Sequence, residues 1–350
     1  MLPHLHGCSP GVLMAREMAR RAVVLMNLGG PDSLAAVRPF LYNLFSDPAI
    51  IGLPALFRLP LAWLIAACRA AVARGIYAQL DGFSPLLANT QAQAQALEVE
   101  LGAGYRCFIA MRYWHPLTAA AVAAVKAWHP DEIILLPLYP QFSTTTTASS
   151  LEAWRDEALR QDLGGKTRGI RSYPALSGLV TALAGLVAEA LEVAAAEAGP
   201  VRLLFSAHGL PLKIVAAGDP YPSEIECTAA AVVEALARPG LDWRVCFQSR
   251  VGPLAWLGPS LDEELRRAGR DGVAVVVAPI SFVSEHSETL VELDRDYRRL
   301  AEACGVPAYH RVPAVGTDRR FIAALAELVR GTEQPGQAAG AAAASAGPDS

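Results

Sequence analysis

Six short runs of apolar and β-branched residues recur along this 350-residue chain, and they constrain its fold more than any other feature. Each run is continuous rather than alternating, as expected for strands that are buried on both faces of a parallel sheet. The runs are Ala22–Leu28, Cys107–Met111, Ile133–Leu138, Val201–Ser206, Val245–Gln248 and Val273–Ile280. Because parallel strands need long crossover connections, helices should lie between them.

Helical periodicity fills the segments between these runs. The predicted helices are Leu34–Phe45, Thr90–Leu101, Thr118–Trp128, Leu151–Leu159, Val180–Ala195, Glu224–Ala237 and Thr289–Cys304. Repeated alternation of strand and helix indicates an α/β protein with doubly wound layers. At roughly 100 to 200 residues per domain, the length favours two domains. We place the boundary in the stretch 164–178, which gives a first domain at 21–168 and a second at 169–330.

The charge distribution and the two ends of the chain limit its partners. The net charge is −4 and the basic residues are scattered, which disfavours a nucleic-acid partner. Residues 1–20 carry basic groups without an apolar run, so a loose extension is predicted there rather than a signal peptide. Residues 331–350 are rich in Ala, Gly, Ser, Pro and Gln and are predicted to be disordered.

The cysteine spacing disfavours a bound zinc ion, a haem attachment site and a disulfide framework. No cysteine lies within four residues of another among Cys8, Cys68, Cys107, Cys227, Cys246 and Cys304. Because the chain is long and shows no secretory signal, reduced thiols and a cytoplasmic location are expected.

The segment from Ile50 to Cys68 is strongly apolar and contains one charged residue, Arg58. A membrane-spanning helix needs about 20 apolar residues. Here the uncharged run after Arg58 is ten residues long and includes Pro60. Because the segment lacks the polar stripe of an ordinary surface helix, we expect an exposed apolar lip around a hydrophobic site that could contact a membrane peripherally. The alternative is burial against neighbouring helices.

Polar or turn residues follow the predicted strands, where open α/β sheets bind their ligands. These loops are 27–31, 112–116, 139–147, 206–211, 248–253 and 281–288, and they should face one cleft. The ligand is not expected to be a nucleotide, because Gly29-Gly30-Pro31 is too short for the dinucleotide pattern and no phosphate-binding loop is present.

His208 and a group of acidic residues are the candidates for chemistry. His208 ends a strand and precedes a glycine and a proline, so its imidazole could bind a metal or take a proton at the cleft, or could simply cap the turn. Glu288, Glu292 and Asp296 are spaced by four and share a helix face. They could conduct protons or a hard divalent cation, or form a solvated face.

Several hydroxyl, aromatic and basic residues are candidates for binding a large planar ligand. The loop Tyr139–Thr147 contains four threonines, which could line such a ligand or serve as a polar turn and helix cap. Arg69, Arg112 and Arg250 could bind carboxylates, although each could equally form a surface ion pair.

Eight short motifs together resemble the ferrochelatase family in order and spacing, and the resemblance covers about residues 21–329. The motifs are Asn27-Leu28-Gly29-Gly30-Pro31, Tyr113-Trp114-His115-Pro116, Leu138-Tyr139-Pro140-Gln141-Phe142-Ser143, Ser206-Ala207-His208-Gly209-Leu210-Pro211, Gly218-Asp219-Pro220-Tyr221, Gln248-Ser249-Arg250-Val251-Gly252-Pro253, Trp256-Leu257-Gly258-Pro259 and Ser284-Glu285-His286-Ser287-Glu288-Thr289-Leu290.

The resemblance implies the chelatase fold, in which two similar Rossmann-like domains hold a porphyrin between them. It implies insertion of Fe²⁺ into protoporphyrin IX to form protohaem, the last step of haem biosynthesis, with iron as a substrate and no cofactor. Some relatives carry an iron–sulfur cluster on a cysteine-rich C-terminal extension. No cluster is expected here, because no cysteine follows Cys304.

The resemblance also implies roles for individual residues. It makes His208 and Glu288 the catalytic and metal-binding pair, with Glu292 and Asp296 as a path for protons or iron. The residues expected to bind the porphyrin are Leu28, Arg69, Tyr77, Arg112, Tyr113, Tyr139, Ser143, Trp256, Phe282 and His286. In one departure, the family's usual Ile-Gly-Gly before Ser84 is replaced by Leu80-Asp81-Gly82-Phe83, which could alter the local shape of the pocket.

Three alternatives remain at the level of the sequence. The chain could be a chelatase for another metal or for coproporphyrin, or a non-catalytic tetrapyrrole-binding protein. It could also be a nucleotide-dependent oxidoreductase, against which the missing glycine pattern counts.

Overall fold

A computed structural model of the chain describes residues 19–250 and 254–332. The strands are β1 (Arg21–Asn27), β2 (Tyr105–Met111), β3 (Glu132–Pro137), β4 (Lys166–Gly169), β5 (Val201–His208), β6 (Asp242–Gln248), β7 (Ala274–Pro279) and β8 (Tyr309–Arg311). They form two parallel four-stranded sheets, in the orders β2-β1-β3-β4 and β6-β5-β7-β8. The predicted fold class is therefore confirmed, whereas the short edge strands β4 and β8 were not predicted.

Helices connect the strands and cover the sheets. The α-helices are α1 (Val37–Phe45), α2 (Ala55–Ala78), α3 (Leu86–Leu101), α4 (Thr118–Trp128), α5 (Ser149–Arg160), α6 (Ser177–Ala198), α7 (Leu212–Ala216), α8 (Tyr221–Leu236), α9 (Leu261–Asp271), α10 (Arg298–Ala303) and α11 (Arg319–Gly331). Two π-helices, π1 (Thr144–Ala148) and π2 (Glu288–Tyr297), precede α5 and α10. Each predicted helix is present with ends shifted by about one turn or less, and α7, α9 and α11 were not predicted.

The largest apolar core is shared by the two sheets. It contains Leu25 of β1, Leu97 of α3, Leu183 of α6 and Phe205 of β5, all of which are buried. Between the sheets, α11 packs against both α3, which contacts β1 and β2, and α6, which contacts β5 and β7. Full burial of one large apolar side chain contributes about 1.5 to 3 kcal/mol, so this layer binds the two halves firmly together.

Two helices, α2 and α6, are long and apolar enough to cross a membrane by length and composition alone. In α6, 44% of the most apolar stretch is buried, because the helix packs against α8 and α11. In α2 the buried share is only 17%, and Leu56, Phe57, Trp63 and Leu64 are exposed. Most of the apolar segment 50–68 therefore belongs to α2, an exposed helix that includes Pro60 and ends at Ala78.

The predicted end segments fall largely beyond the described part of the chain. Residues 1–18 of the expected N-terminal extension and residues 333–350 of the expected tail lie outside the described residues.

Candidate active site between the two sheets

A cleft with about 1060 Å³ of empty space, part of it open to solvent, lies at the carboxyl ends of the central strands. Members of four segments at the ends of β1, β3, β5 and β7 line it, namely residues 27–28, 138–146, 208–210 and 281–288. Four of the six predicted loops therefore meet at one cavity. The loop 112–116 and residues 248–250 of the loop 248–253 do not line it, and residues 251–253 lie outside the described residues.

Most of the cavity wall is apolar, and the rest consists mainly of hydroxyl groups. The apolar lining includes Leu28, Leu44, Ile50, Leu86, Leu138, Leu210, Phe282 and Val283. The hydroxyl lining includes Tyr139, Ser143, Thr145, Thr146, Tyr221, Ser281 and Ser284. Among the described residues that line the cavity there is no lysine or arginine. Such a wall suits a flat, largely apolar ligand.

Two hydrogen bonds, one to its backbone N–H and one to its carbonyl, hold His208, the last residue of β5, at this wall. Its N–H donates to Ser281 Oγ (3.2 Å), and its carbonyl accepts from the Tyr221 hydroxyl (3.1 Å). The ring Nδ1 lies 2.8 Å from Glu288 Oε2. This hydrogen bond orients the imidazole and leaves Nε2 to receive a proton or a metal.

Charges on the neighbouring carboxylates determine the protonation of His208. Burial acts to lower the pKa of His208, but the charge of Glu288, their hydrogen bond and the charge of Glu292 outweigh it, so the pKa is raised. The pKa of Glu288 is lowered to about 2, because His208, His286 and the Ser249 hydrogen bond outweigh the effect of its burial. Glu288 is therefore ionised throughout the neutral range.

Ser249 links Glu288 to the second predicted acid, Glu292. Its hydroxyl lies 2.6 Å from Glu292 Oε2 and 3.2 Å from Glu288 Oε2, and its backbone N–H donates to Glu292 Oε1 (3.0 Å). Burial, and then the charge of Glu288, raise the pKa of Glu292 to about 7. One ionised and one partly protonated carboxyl group are thus connected through a single hydroxyl.

The two acids lie on π2, a helix whose backbone bonds run from residue i to i+5. Side chains complete its bonding: the Tyr309 hydroxyl donates to the Leu293 carbonyl (2.8 Å), and Arg298 Nε donates to the Asp294 carbonyl (3.1 Å). Asp296, the third predicted member of the acidic path, is 57% exposed and lies 3.8 Å from Arg299. It therefore stands at the protein surface, away from the hydrogen bonds that join Glu288 and Glu292.

Five of the predicted porphyrin-binding residues line the cavity, namely Leu28, Tyr139, Ser143, Phe282 and His286. The rings of Phe282 and His286 lie 4.4 Å apart. Burial lowers the pKa of His286, so its imidazole is neutral near pH 7. Burial also raises the pKa of the Tyr139 phenol, which stays protonated.

Arg112 and Tyr113 belong to a polar cluster outside the cavity lining. The Tyr113 hydroxyl donates to Asp47 Oδ2 (2.7 Å), and Arg112 Nη2 lies 2.7 Å from the same oxygen. Ser149 Oγ also donates to Asp47 (2.5 Å). Asp47 thus neutralises the charge of Arg112 and anchors the start of α5, a role that the sequence did not reveal.

The remaining predicted porphyrin-binding residues, Tyr77, Arg69 and Trp256, also lie outside the cavity lining. Tyr77 is buried, and burial raises its pKa to about 12 despite a hydrogen bond with Ser287. Arg69 is exposed on α2, and Trp256 packs against Gly209, where a Cβ atom would lie 3.3 Å from the indole ring.

Asp219, whose role the sequence did not reveal, holds the threonine loop in place. Its Oδ2 accepts from Ser143 Oγ (3.0 Å), the Thr144 backbone N–H (2.7 Å) and Thr144 Oγ1 (2.6 Å). Ser143 in turn caps π1, because its hydroxyl accepts from the Thr145 N–H (3.2 Å). The Gly-Asp-Pro-Tyr motif was the available signal, but nothing in it indicates which loop the carboxylate binds.

The segment 80–83, where the sequence departs from the family pattern, forms a turn with two residues of positive φ. Asp81 has φ +58° and Gly82 has φ +90°, so both adopt the left-handed backbone that aspartate tolerates better than most residues. Gly30 packs against the following residue, since a Cβ atom there would lie 2.4 Å from Ser84 Oγ.

Comparisons with known proteins agree with this geometry. The family model described as Ferrochelatase matches residues 20–333. The ferrochelatase of Caulobacter vibrioides (strain NA1000 / CB15N) is 54% identical over 314 residues, covering 88% of this chain and 89% of that protein. The ferrochelatase of Wolbachia sp. subsp. Drosophila simulans (strain wRi) is 50% identical over 313 residues, covering 88% and 98%.

A solved structure shares the fold at low sequence identity. The sirohydrochlorin chelatase SirB from Bacillus subtilis subspecies spizizenii, in complex with cobalt, has a TM-score of 0.52 at 11% identity, covering 89% of this chain and 95% of that chain. The fold is therefore that of the chelatases, and by family model and by relatives the chain belongs to the ferrochelatase family, lyases that act on a porphyrin and iron.

Proposed function

We propose that this protein inserts Fe²⁺ into protoporphyrin IX, forming protohaem and releasing two protons, with His208 and Glu288 as the acid–base and metal-binding pair. The observation that carries the proposal is the 2.8 Å contact between these side chains at the wall of an otherwise apolar cleft. In this proposal the flat ligand lies in the apolar cleft, and His208 at its wall is the proton acceptor that the reaction needs.

Metal insertion requires that two pyrrole protons leave, that the ring puckers, and that the iron loses its water ligands. A cleft that grips the edges of the ring can convert binding energy into pucker. His208 Nε2 accepts one pyrrole proton at a time, the adjacent Glu288 carboxylate stabilises the imidazolium that forms, and this imidazolium passes its proton on to solvent before it accepts the second. The Ser249 hydroxyl connects Glu288 to Glu292, whose pKa of about 7 suits it to accept and release a proton at neutral pH.

Iron is handled as a substrate in this proposal. Within residues 19–250 and 254–332, no group of three or more His, Cys, Asp and Glu side chains is arranged to hold an ion. His208 and Glu288 would therefore supply two ligands, and the porphyrin nitrogens replace the water ligands of the iron. The protein is proposed to work without a cofactor or iron–sulfur cluster, and Asp296 to mark the outer end of the proton or iron path.

The choice of protoporphyrin over coproporphyrin follows from the cavity wall. Coproporphyrin carries two propionates where protoporphyrin carries vinyl groups, and burying unpaired carboxylates is costly. The apolar side chains and the absence of lysine and arginine among the described lining residues favour the vinyl-bearing ring. Measuring kcat/KM for the two porphyrins side by side tests this, and a clear preference for coproporphyrin would reject the assignment of the substrate.

The central experiment is anaerobic insertion of Fe²⁺ into protoporphyrin, followed by absorbance of the haem product. His208→Ala should abolish turnover while porphyrin binding, measured by fluorescence quenching, remains. His310→Ala is the matched control, because His310 Nε2 lies 2.7 Å from Glu197 in a histidine–carboxylate pair outside the cavity lining. Near-normal turnover by the His208 variant would refute the proposed role of the pair.

A peripheral membrane contact and a cytoplasmic location are part of the same proposal. The exposed apolar face of α2 supports the contact, with Leu56 77% and Phe57 63% exposed. Residues 48–80 contain three arginines and no acidic residue, which favours an anionic lipid surface. We also propose that the two Rossmann-like domains divide near residue 168, close to the end of β4 at Gly169.

A further inference from the structure

Helix α3, which covers the first sheet, directs a buried glutamine into the loop that follows β7 of the second sheet. Gln93 is 1% exposed. Its Nε2 donates to the Val283 and Gly316 carbonyls, both at 2.9 Å, and its Oε1 accepts from Ser284 Oγ at 2.9 Å. Both donor hydrogens and the acceptor are therefore used, as burial of an amide requires.

The loop needs these bonds because it has little regular structure of its own. A buried backbone carbonyl without a partner is costly, so each must find a donor. The Val283 carbonyl accepts from Gln93 Nε2 as well as from the Gly316 backbone N–H (3.0 Å), and the Glu285 carbonyl accepts from Asn89 Nδ2, one turn earlier on α3, at 2.9 Å. Three consecutive loop residues, 283 to 285, are thus fixed by two side chains of one helix.

The same turn of α3 also holds the opposite wall of the cleft. Thr90 Oγ1 accepts from Asn27 Nδ2 at 3.1 Å, and Asn27 Oδ1 accepts from the backbone N–H of Leu28 at 2.8 Å. Asn27 and Leu28 line the cavity from the first sheet, whereas the loop held by Gln93 carries Phe282 and His286 and leads into Glu288. One helix therefore sets the relation between both walls.

We propose that Gln93 is a positioning residue for metal insertion. By fixing residues 283–285 it keeps Glu288 within hydrogen-bonding reach of His208, and it acts only through the loop. This inference rests on the proposed function of the His208–Glu288 pair. A misplacement of about 1 Å at a reacting group can reduce turnover by about 10²-fold, so a small movement of the loop suffices.

Gln93→Glu is the direct test, because it preserves size and the acceptor for Ser284 while replacing both donor hydrogens with a carboxylate oxygen that faces two carbonyls. We expect kcat for iron insertion to fall by about 10-fold or more, with the porphyrin Kd within about 3-fold of wild type. Gln95→Glu makes the same change at an exposed position two residues away and should leave both values unchanged.

The split between kcat and Kd separates positioning from general destabilisation, which would reduce porphyrin binding and turnover together. Wild-type kcat in a folded Gln93→Glu protein, or parallel loss of kcat and binding, would overturn the inference. If Gln93→Glu does not fold, Gln93→Asn shortens the side chain and removes the same contacts without adding a charge. A fall in kcat at unchanged Kd is then expected, and an unchanged kcat would overturn the inference.

His208→Ala is assayed beside these variants so that the two proposals can fail separately. If His208→Ala retains turnover, the proposed function fails. If His208→Ala is inactive while Gln93→Glu is normal, only the positioning role of Gln93 fails.

Discussion

Replacing Glu292 with glutamine should stabilise the protein at alkaline pH while impairing its chemistry. Burial and the charge of Glu288 raise the pKa of Glu292 from 4.5 to about 7. A carboxyl group whose pKa is raised on folding favours the folded state least when it is ionised. Glutamine carries no charge. Its single oxygen can still accept from the Ser249 N–H, and its NH2 group can donate to the Ser249 hydroxyl, which donates to Glu292 in the wild-type protein.

Proton linkage gives the sign and the size of the change in the free energy of unfolding that Glu292→Gln causes. Below pH 4.5 the carboxyl group is protonated in both states, so the substitution has little effect. Between pH 4.5 and about 7 the unfolded state ionises first, and the folded state loses about 1.4 kcal/mol per pH unit. The full pKa shift of Glu292 corresponds to a loss of about 3 kcal/mol in the free energy of unfolding. Solvent screening at this partly exposed position reduces it to about 1 to 2 kcal/mol above pH 8.

Urea or thermal unfolding at pH 5 and pH 8, with a chelator present, measures the effect. At pH 8 the Glu292→Gln protein should melt about 1 to 3 °C above wild type, and at pH 5 the difference should be much smaller. Glu288→Gln is the matched control with the opposite sign at pH 8, because the pKa of Glu288 is lowered to about 2 and its charge stabilises the fold. A Glu292→Gln protein that is less stable than wild type at pH 8, or a difference independent of pH, would refute the reasoning.

Three further outcomes are expected. Glu288→Gln should reduce kcat for iron insertion by about 10²-fold, far more than the Glu292 variant, and equal losses would count against the acidic path. Arg311→Met should lower the free energy of unfolding by about 3 kcal/mol, because Glu285 and Asp294 lose the positive charge of that 9% exposed guanidinium; urea unfolding measures it. The double variant Phe57→Ser/Trp63→Ser should reduce co-sedimentation with anionic vesicles, whereas Leu159→Ser, another exposed apolar site, should not; unchanged sedimentation would exclude α2 as the contact.

The central strands could be predicted because their sequence pattern reflects burial on two faces. Residues 22–26 of β1 are all buried, and a continuous apolar run is the direct consequence. The edge strand β4 has the sequence Lys-Thr-Arg-Gly and is mostly exposed, so it carries no such pattern. Helix α9 was missed for a similar reason: it is strongly polar and is fixed at its start by a capping box between Ser260 and Glu263.

The candidate site also contains residues whose positions could be predicted from the sequence and residues whose positions could not. His208 and the loop to Glu288 could be placed because the carboxyl ends of β5 and β7 adjoin in a parallel sheet. The position of Arg112 could not be foreseen, because its partner Asp47 lies 65 positions away in the sequence and nothing local marks the pairing. The same holds for Gln93, whose spacing on α3 resembles that of any helix residue.

The apolar layer of α3, α6 and α11 has a mechanical consequence. Domains that close on a ligand like a jaw need an interface that can slide or open, whereas here the two sheets share one continuous hydrophobic core. A shared core of this kind opposes a hinge motion between the sheets, so we expect the cleft to keep its width when a ligand binds. On the function proposed above, the change of shape on binding would then fall on the porphyrin ring rather than on the protein.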